Sequence, residues 1–136
     1  MKEVVDLSFS VFKDDEKRLK KAALEIYRAK LFVPGWSLED TLREIASYGD
    51  IFQSILVIGY DGNKPVAVGC LDRTFGEIDV FVLDEYRRMG IGRMIIQQVA
   101  QDFDLSMIRC NKGVEGSLEF YASCGVVEAN YVGEVS

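Results

Sequence analysis

Histidine is absent from all 136 residues of the chain. Its absence removes Ser-His-Asp and Cys-His catalysis and most zinc sites. Acid–base chemistry must therefore fall to carboxylates, tyrosine, cysteine, lysine or water. Cysteine is scarce as well: Cys70, Cys110 and Cys124 are odd in number, widely spaced, and form no Cys-x-x-Cys pair. Such a set excludes a disulfide framework and predicts reduced core thiols in a cytoplasmic protein. No apolar run reaches the length of a membrane span. The opening Met-Lys-Glu-Val-Val-Asp places acids where a signal peptide needs a clean apolar core. Bases are outnumbered, 16 against 22 acids, for a net charge of −6. That balance opposes the broad basic face of a nucleic-acid or anionic-membrane binder.

What is present predicts one folded domain over residues 1–136, large enough to bury a core, with 49% hydrophobic residues. Val4 to Phe12 alternates as a strand through Val5, Leu7, Phe9 and Val11. Asp14 or Asp15 can cap a helix with a buried stripe of Leu19, Ala22, Ala23, Ile26 and Tyr27. Ser37 and Asp40 have the spacing of a capping box for a second helix through Leu38, Leu42, Ile45 and Ala46, with Gly49 as its stop. Runs at 51–60 and 65–71 flank Asp61-Gly62-Asn63-Lys64, a hairpin signal. Ile55-Leu56-Val57-Ile58 is too continuously apolar for a one-sided sheet, which predicts cover on both faces. A strand from Glu77 to Leu83 follows, then a helix with Ile91, Ile95, Val99 and Phe103 at four-residue spacing. Leu105 to Cys110 reads as a strand, Ser117 to Cys124 as a helix ended by Gly125, and Val126 to Val135 as one or two closing strands. This order implies an α/β fold, a mixed central β-sheet with helices on both faces.

The most informative stretch joins the strand at Val80 to the helix at Ile91. It reads Val-Phe-Val-Leu-Asp-Glu-Tyr-Arg-Arg-Met-Gly-Ile-Gly-Arg, from Val80 to Arg93. Loop glycines let backbone N–H groups turn toward a ligand, and a helix start adds unpaired N–H groups and partial positive charge. Strand, glycine loop and helix N-terminus together suit a phosphate-bearing cofactor. Arg87, Arg88 and Arg93 place cations where a pyrophosphate would favour them. The helix is expected to open on the second glycine, Gly92, with the N–H groups of Met89 to Arg93 facing one spot. A Gly-x-x-x-x-Gly-Lys-Ser/Thr loop and the third glycine of a dinucleotide fingerprint are both missing.

Arg87-Arg88-Met89-Gly90-Ile91-Gly92 resembles the Arg/Gln-x-x-Gly-x-Gly/Ala signature of the GNAT superfamily of acyl-CoA-dependent N-acetyltransferases. Val82-Leu83-Asp84-Glu85-Tyr86 is similar to that family's Val-x-Pro-Glu-Tyr entry, with Asp84 in place of Pro. Phe120 to Val126 resembles its Phe-Tyr-x-x-x-Gly-Phe segment, with Val126 in place of the last Phe. The position of a frequent family asparagine falls on Val114, with Asn111 nearby but out of register. The closing hairpin of the family is expected to be short or missing here.

The resemblance implies the GNAT acyl-CoA N-acyltransferase fold and acetyl-CoA as co-substrate, with no metal. Backbone amides from Arg88 to Arg93, Met89, Gly90, Ile91 and Gly92 included, would hold the pyrophosphate, with Arg87 beside them. The backbone of Val80 and Val82 would pair with the pantetheine arm. Tyr121 would protonate the leaving thiolate, its ordinary pKa near 10 keeping the proton available; the alternative is a packing aromatic.

Glu77 resembles a catalytic glutamate of histone-type members and could accept the amine's proton directly or through water. Asp79 on the same strand face, a water relay, and a merely solvated Glu77 are the alternatives. The acceptor would be a small-molecule amine or an amine of a protein or peptide, attacking directly in a ternary complex, with a homodimer compatible. Acidic charge favours a cationic acceptor by steering. Trp36, Phe32 and Tyr48 could border its pocket or pack in the core. The runner-up is a non-catalytic acyl-CoA-binding or regulatory module; a third reading is an interaction domain whose loop binds no cofactor.

Overall fold

The computed structural model describes residues 5–31, 35, 37–45, 53–110 and 117–128. Strand β1 (Leu7–Phe12) leads to helices α1 (Glu16–Arg28) and α2 (Leu38–Ile45), then to strands β2 (Ser54–Asp61), β3 (Lys64–Asp72) and β4 (Glu77–Val82). A 3-10 turn (Asp84–Tyr86) precedes helix α3 (Ile91–Ala100). A second 3-10 turn (Leu105–Met107), β5 (Arg109–Cys110), α4 (Ser117–Ser123) and β6 (Val127–Glu128) complete the order.

The strands form one six-stranded sheet in sequence order, β1 to β6. The first four pair antiparallel, while β4–β5 and β5–β6 are parallel. Parallel neighbours need crossovers, and α3 and α4 supply them. Hairpin β2–β3 turns tightly at Gly62-Asn63, between the paired residues Asp61 and Lys64.

Both faces of β2 and β3 are buried, as the unbroken run Ile55 to Ile58 requires. Ile55, Val57, Ala67 and Leu71 pack with Ile91, Ile95, Ile96 and Val99 of α3. On the other face, Leu56, Ile58, Val68 and Cys70 meet Leu19, Ala22, Ala23 and Ile26 of α1 and Ile45 of α2. Burying such a side chain is worth about 1.5–3 kcal/mol, so these two layers hold the sheet.

The helix caps follow the sequence. Asp15, rather than Asp14, caps α1, its side chain accepting the Arg18 N–H at 3.1 Å. Asp14 instead takes a left-handed φ of 59° and ion-pairs with Arg73 at 2.8 Å. Ser37 and Asp40 form the reciprocal capping box, with bonds of 3.0 and 3.1 Å.

Three expectations need correction. Tyr27 is 38% exposed, because Ile26 takes the last sheet-facing place on α1 and turns its neighbour outward. Leu105 to Cys110 is not one strand: Asp104 accepts the Ser106 N–H and starts a 3-10 turn, leaving only Arg109–Cys110 as β5. Helix α3 opens one residue before Gly92, with Gly90 as its N-cap. Trp36, Phe32, Tyr48, Ala46, Gly49, Asn111 and Val114, and the closing segment after Glu128, lie outside the described residues.

Candidate functional site

The site begins where β4 and β5 part. β3 stays paired with β4 as far as Val82, whereas the β4–β5 register covers only Glu77 and Ile78. Alternation along β4 turns the N–H and C=O of Val80 and Val82 toward the β5 side, and Leu83 N–H back toward Val66. Val80 and Val82 therefore lie along an edge that β5 does not cover among the described residues.

That edge is met from the α4 side. The Val80 N–H donates to the Tyr121 hydroxyl at 3.0 Å. Tyr121 is 7% exposed, and its ring stands edge-on to Phe120 with centroids 5.1 Å apart. Burial raises the Tyr121 pKa well above its ordinary value; the Val80 N–H opposes this, and Asp79, Cys110 and Cys124 reinforce it. The phenol is thus held protonated, with its oxygen already accepting one hydrogen bond and its own proton free to be given. The Val82 carbonyl accepts the Nε of Arg87 at 3.3 Å.

Beyond the strand, the chain passes through the Asp84–Tyr86 turn and reverses before α3. Arg87 is extended, Arg88 has a φ of 66°, and Gly90 has a φ of 78°. Two left-handed residues two apart form the kind of turn that gathers successive N–H groups on one side. The first bond of α3 is Met94 N–H to Gly90 C=O at 3.1 Å, and no side chain caps the helix. The N–H groups of Ile91, Gly92 and Arg93 are thereby left without intrahelical partners, at the positive end of the helix dipole. An anion is their natural partner.

The two glycines have different reasons to be there. Around Gly90 there is open space for a Cβ, so only its left-handed backbone demands glycine. Gly92 is the reverse: a Cβ there would lie 2.8 Å from the Phe120 ring. It is a contact glycine that lets α4 sit against the first turn of α3.

The three arginines also divide. Arg93 gives both terminal nitrogens to Ser123, one to its carbonyl at 3.0 Å and one to its hydroxyl at 3.1 Å. Its guanidinium braces α4, which ties two of its five N–H donors to Ser123. Arg87 pairs with Asp84 at 3.1 Å. Arg88 is exposed and makes no hydrogen bond or ion pair among the described residues. It is the side chain best placed to meet a phosphate.

Glu77, Asp79 and Phe81 share the sheet face toward α1 and α2, while Ile78, Val80 and Val82 share the face toward α3. Glu77 therefore lies on the face opposite Tyr121, in the part of β4 that β5 still covers, paired with Arg109. Among the described residues no group of three His, Cys, Asp or Glu side chains could hold a metal, and no helix is long and apolar enough to cross a membrane.

Sequence reasoning missed three participants. Ser123 anchors Arg93, Asp61 accepts the Tyr86 hydroxyl at 2.6 Å, and Phe120 fills the space above Gly92. Asp61 carried only a turn signal, and nothing local marks a partner 25 residues away.

Known proteins agree with this architecture. A search of curated proteins finds no match. Among solved structures, a GNAT-family acetyltransferase from Streptococcus pneumoniae TIGR4 is 21% identical, covering 88% of this chain and 86% of its own, with a TM-score of 0.58. The aminoglycoside N-acetyltransferase AAC(6')-Iy, in complex with the bisubstrate analogue CoA-S-monomethyl-acetylneamine, is 14% identical over 93% of this chain and 95% of its own, with a TM-score of 0.64. Glucosamine-6-phosphate N-acetyltransferase from Arabidopsis thaliana is 22% identical over 89% and 92%, with a TM-score of 0.54. At these identities the likeness is one of fold. The acetyltransferase (GNAT) domain profile matches residues 52–128, from the start of the hairpin through the loop to the last described strand. The chain belongs to the GNAT acetyltransferases.

Proposed function

We propose that the protein transfers an acetyl group from acetyl-CoA to a primary amine, by direct attack of the amine within a ternary complex. The observation that carries this reading is the helix N-terminus at Gly90: it has no side-chain cap, and it follows directly on a strand whose open edge holds the Tyr121 hydroxyl. One donor can span both places. The N–H groups from Arg88 to Arg93 bind the pyrophosphate, and the Arg88 guanidinium adds charge from outside. The edge of β4 at Val80 and Val82 takes the pantetheine arm and the thioester.

The same reading extends to the proton transfers. Tyr121, kept protonated by burial, gives its proton to the thiolate as the thioester C–S bond breaks. The amine arrives on the Glu77 face of β4, and Glu77 accepts its proton directly or through a water. Val80 has a single N–H, which Tyr121 already occupies, so seating the thioester carbonyl there requires the phenol oxygen to yield. The phenol then turns its proton toward sulfur. A net charge of −6 draws a cationic acceptor.

Calorimetry with acetyl-CoA, followed by a thiol-release assay across diamines, aminosugars and peptide amines, tests the proposal. Binding and release with at least one amine are expected. No binding would refute it; binding with no release from any amine would favour an acyl-CoA-binding module instead.

A further inference from the structure

Tyr86 is the last residue before the chain reverses into the glycine loop, and it is almost wholly buried, at 1% exposure. Its ring packs in the core with Ile91 and Ile95, and its hydroxyl reaches out to one acceptor, Asp61 Oδ2, at 2.6 Å. That is the length of a charge-assisted O–H···O⁻ bond. Asp61 lies at the β2–β3 turn, 25 residues earlier. Its other oxygen accepts the Asp6 N–H at 3.0 Å, and Gly62 N–H donates to Asp6 C=O at 2.8 Å. The turn is therefore itself tied down by β1.

A second link runs alongside. Lys64 pairs with Glu85 at 3.0 Å, and its ammonium lies 5.5 Å from the centre of the Tyr86 ring. Hairpin residues on both sides of Gly62-Asn63 thus hold the two residues that precede Arg87. From Tyr86 the backbone must go straight into an extended Arg87, a left-handed Arg88 and a left-handed Gly90. Where Tyr86 is pinned decides where those N–H groups point.

We propose that Asp61 and Tyr86 are positioning residues for the donor's pyrophosphate, acting through the Arg87–Gly90 backbone rather than by touching the ligand. The proposal rests on the reading of this loop as a CoA grip. The bond acts on the turn that leads into Arg87, so the effect is expected chiefly at the phosphate end of the donor.

The test compares calorimetric Kd values for CoA and for S-acetylpantetheine, which keeps the thioester arm and lacks the pyrophosphate. Tyr86→Phe and Asp61→Ala each remove the bond, whereas Asp61→Asn keeps one acceptor oxygen for Tyr86 and turns a donor amide against the Asp6 N–H. A loss of about 1–2 kcal/mol in loop positioning predicts CoA binding weakened by about 5- to 30-fold in Tyr86→Phe and Asp61→Ala. S-acetylpantetheine binding should be unchanged, and Asp61→Asn, which can serve only one of the two donors, should recover part of the loss. Equal weakening for both ligands would mean a general structural role and would overturn the proposal, as would unchanged CoA affinity. Should Tyr86→Phe fail to fold, the Asp61 pair decides alone. A wild type that binds no CoA refutes the CoA reading itself; a wild type that binds with unaffected variants refutes only the positioning role.

Discussion

The Tyr121 hydroxyl sits on the Val80 N–H at 3.0 Å, at the edge where β4 and β5 separate. One oxygen thus occupies an amide that the donor's thioester would also use. The two roles proposed for Tyr121, competitor and acid, predict opposite effects when the hydroxyl is removed. Tyr121→Phe should bind acetyl-CoA more tightly, by about 0.5–1.5 kcal/mol, since Val80 N–H loses its resident partner. Its kcat should fall by roughly 100-fold, since the thiolate leaves unprotonated. Calorimetry and thiol release on the same preparation check both, and weaker binding in the variant contradicts the competition.

Arg88 combines charge with backbone strain, so two substitutions there should part company. Arg88→Ala and Arg88→Gly both remove the cation and should weaken CoA binding, more at low salt than at high. Only glycine relieves the φ of 66°, which costs an L-residue about 1–2 kcal/mol. Thermal melts should therefore place Arg88→Gly above wild type and Arg88→Ala near it.

Gly90 and Gly92 should fail for different reasons. Gly92→Ala drives a methyl into the Phe120 ring, and overpacking of this kind costs about 1–3 kcal/mol. Gly92→Ala paired with Phe120→Leu should regain stability. Gly90→Val meets no neighbour but cannot hold a φ of 78°, so no partner substitution should rescue it, whereas Gly90→Asn should retain CoA binding. Melting temperatures and CoA titrations of the single and double variants distinguish the two.

Alkaline pH gives a fourth check. Asp61 as acceptor, with burial and the Asp61 and Glu85 charges adding to it, pushes the Tyr86 pKa up to about 12 from an ordinary 10.0. The folded form holds the proton more tightly than the unfolded one. Its stabilising contribution is thus complete below pH 10 and is lost as pH climbs from 10 toward 12. Denaturant unfolding across that range should show a decline that is smaller in Tyr86→Phe.

The elements that position the site were legible where their signal is local. The Ser37–Asp40 capping box, the Asp15 cap, the hairpin turn at Gly62-Asn63 and the doubly buried Ile55–Ile58 run each follow from residues a few places apart. The order of strand, glycine turn and helix start was legible, because the three are contiguous. The interior of the turn was not. Alike in sequence, Arg87, Arg88 and Arg93 are separated only by what stands opposite them: Asp84, nothing among the described residues, and Ser123. That Gly92 also leaves room for a ring was hidden, because Phe120 arrives from 28 positions downstream. Leu105 misled for the opposite reason: an apolar run suited a strand, and one Asp104 side chain was enough to coil it.

Phe120 and Tyr121 are neighbours in the chain, and they meet different elements of the candidate site. Phe120 rests on the first turn of α3 at Gly92, and Tyr121 on the Val80 amide of β4. Arg93 clamps the same short helix to α3 through Ser123. One short helix therefore braces both the first turn of α3 and the edge of β4, like a shared hinge pin, and any change that shifts α4 should disturb the two places together.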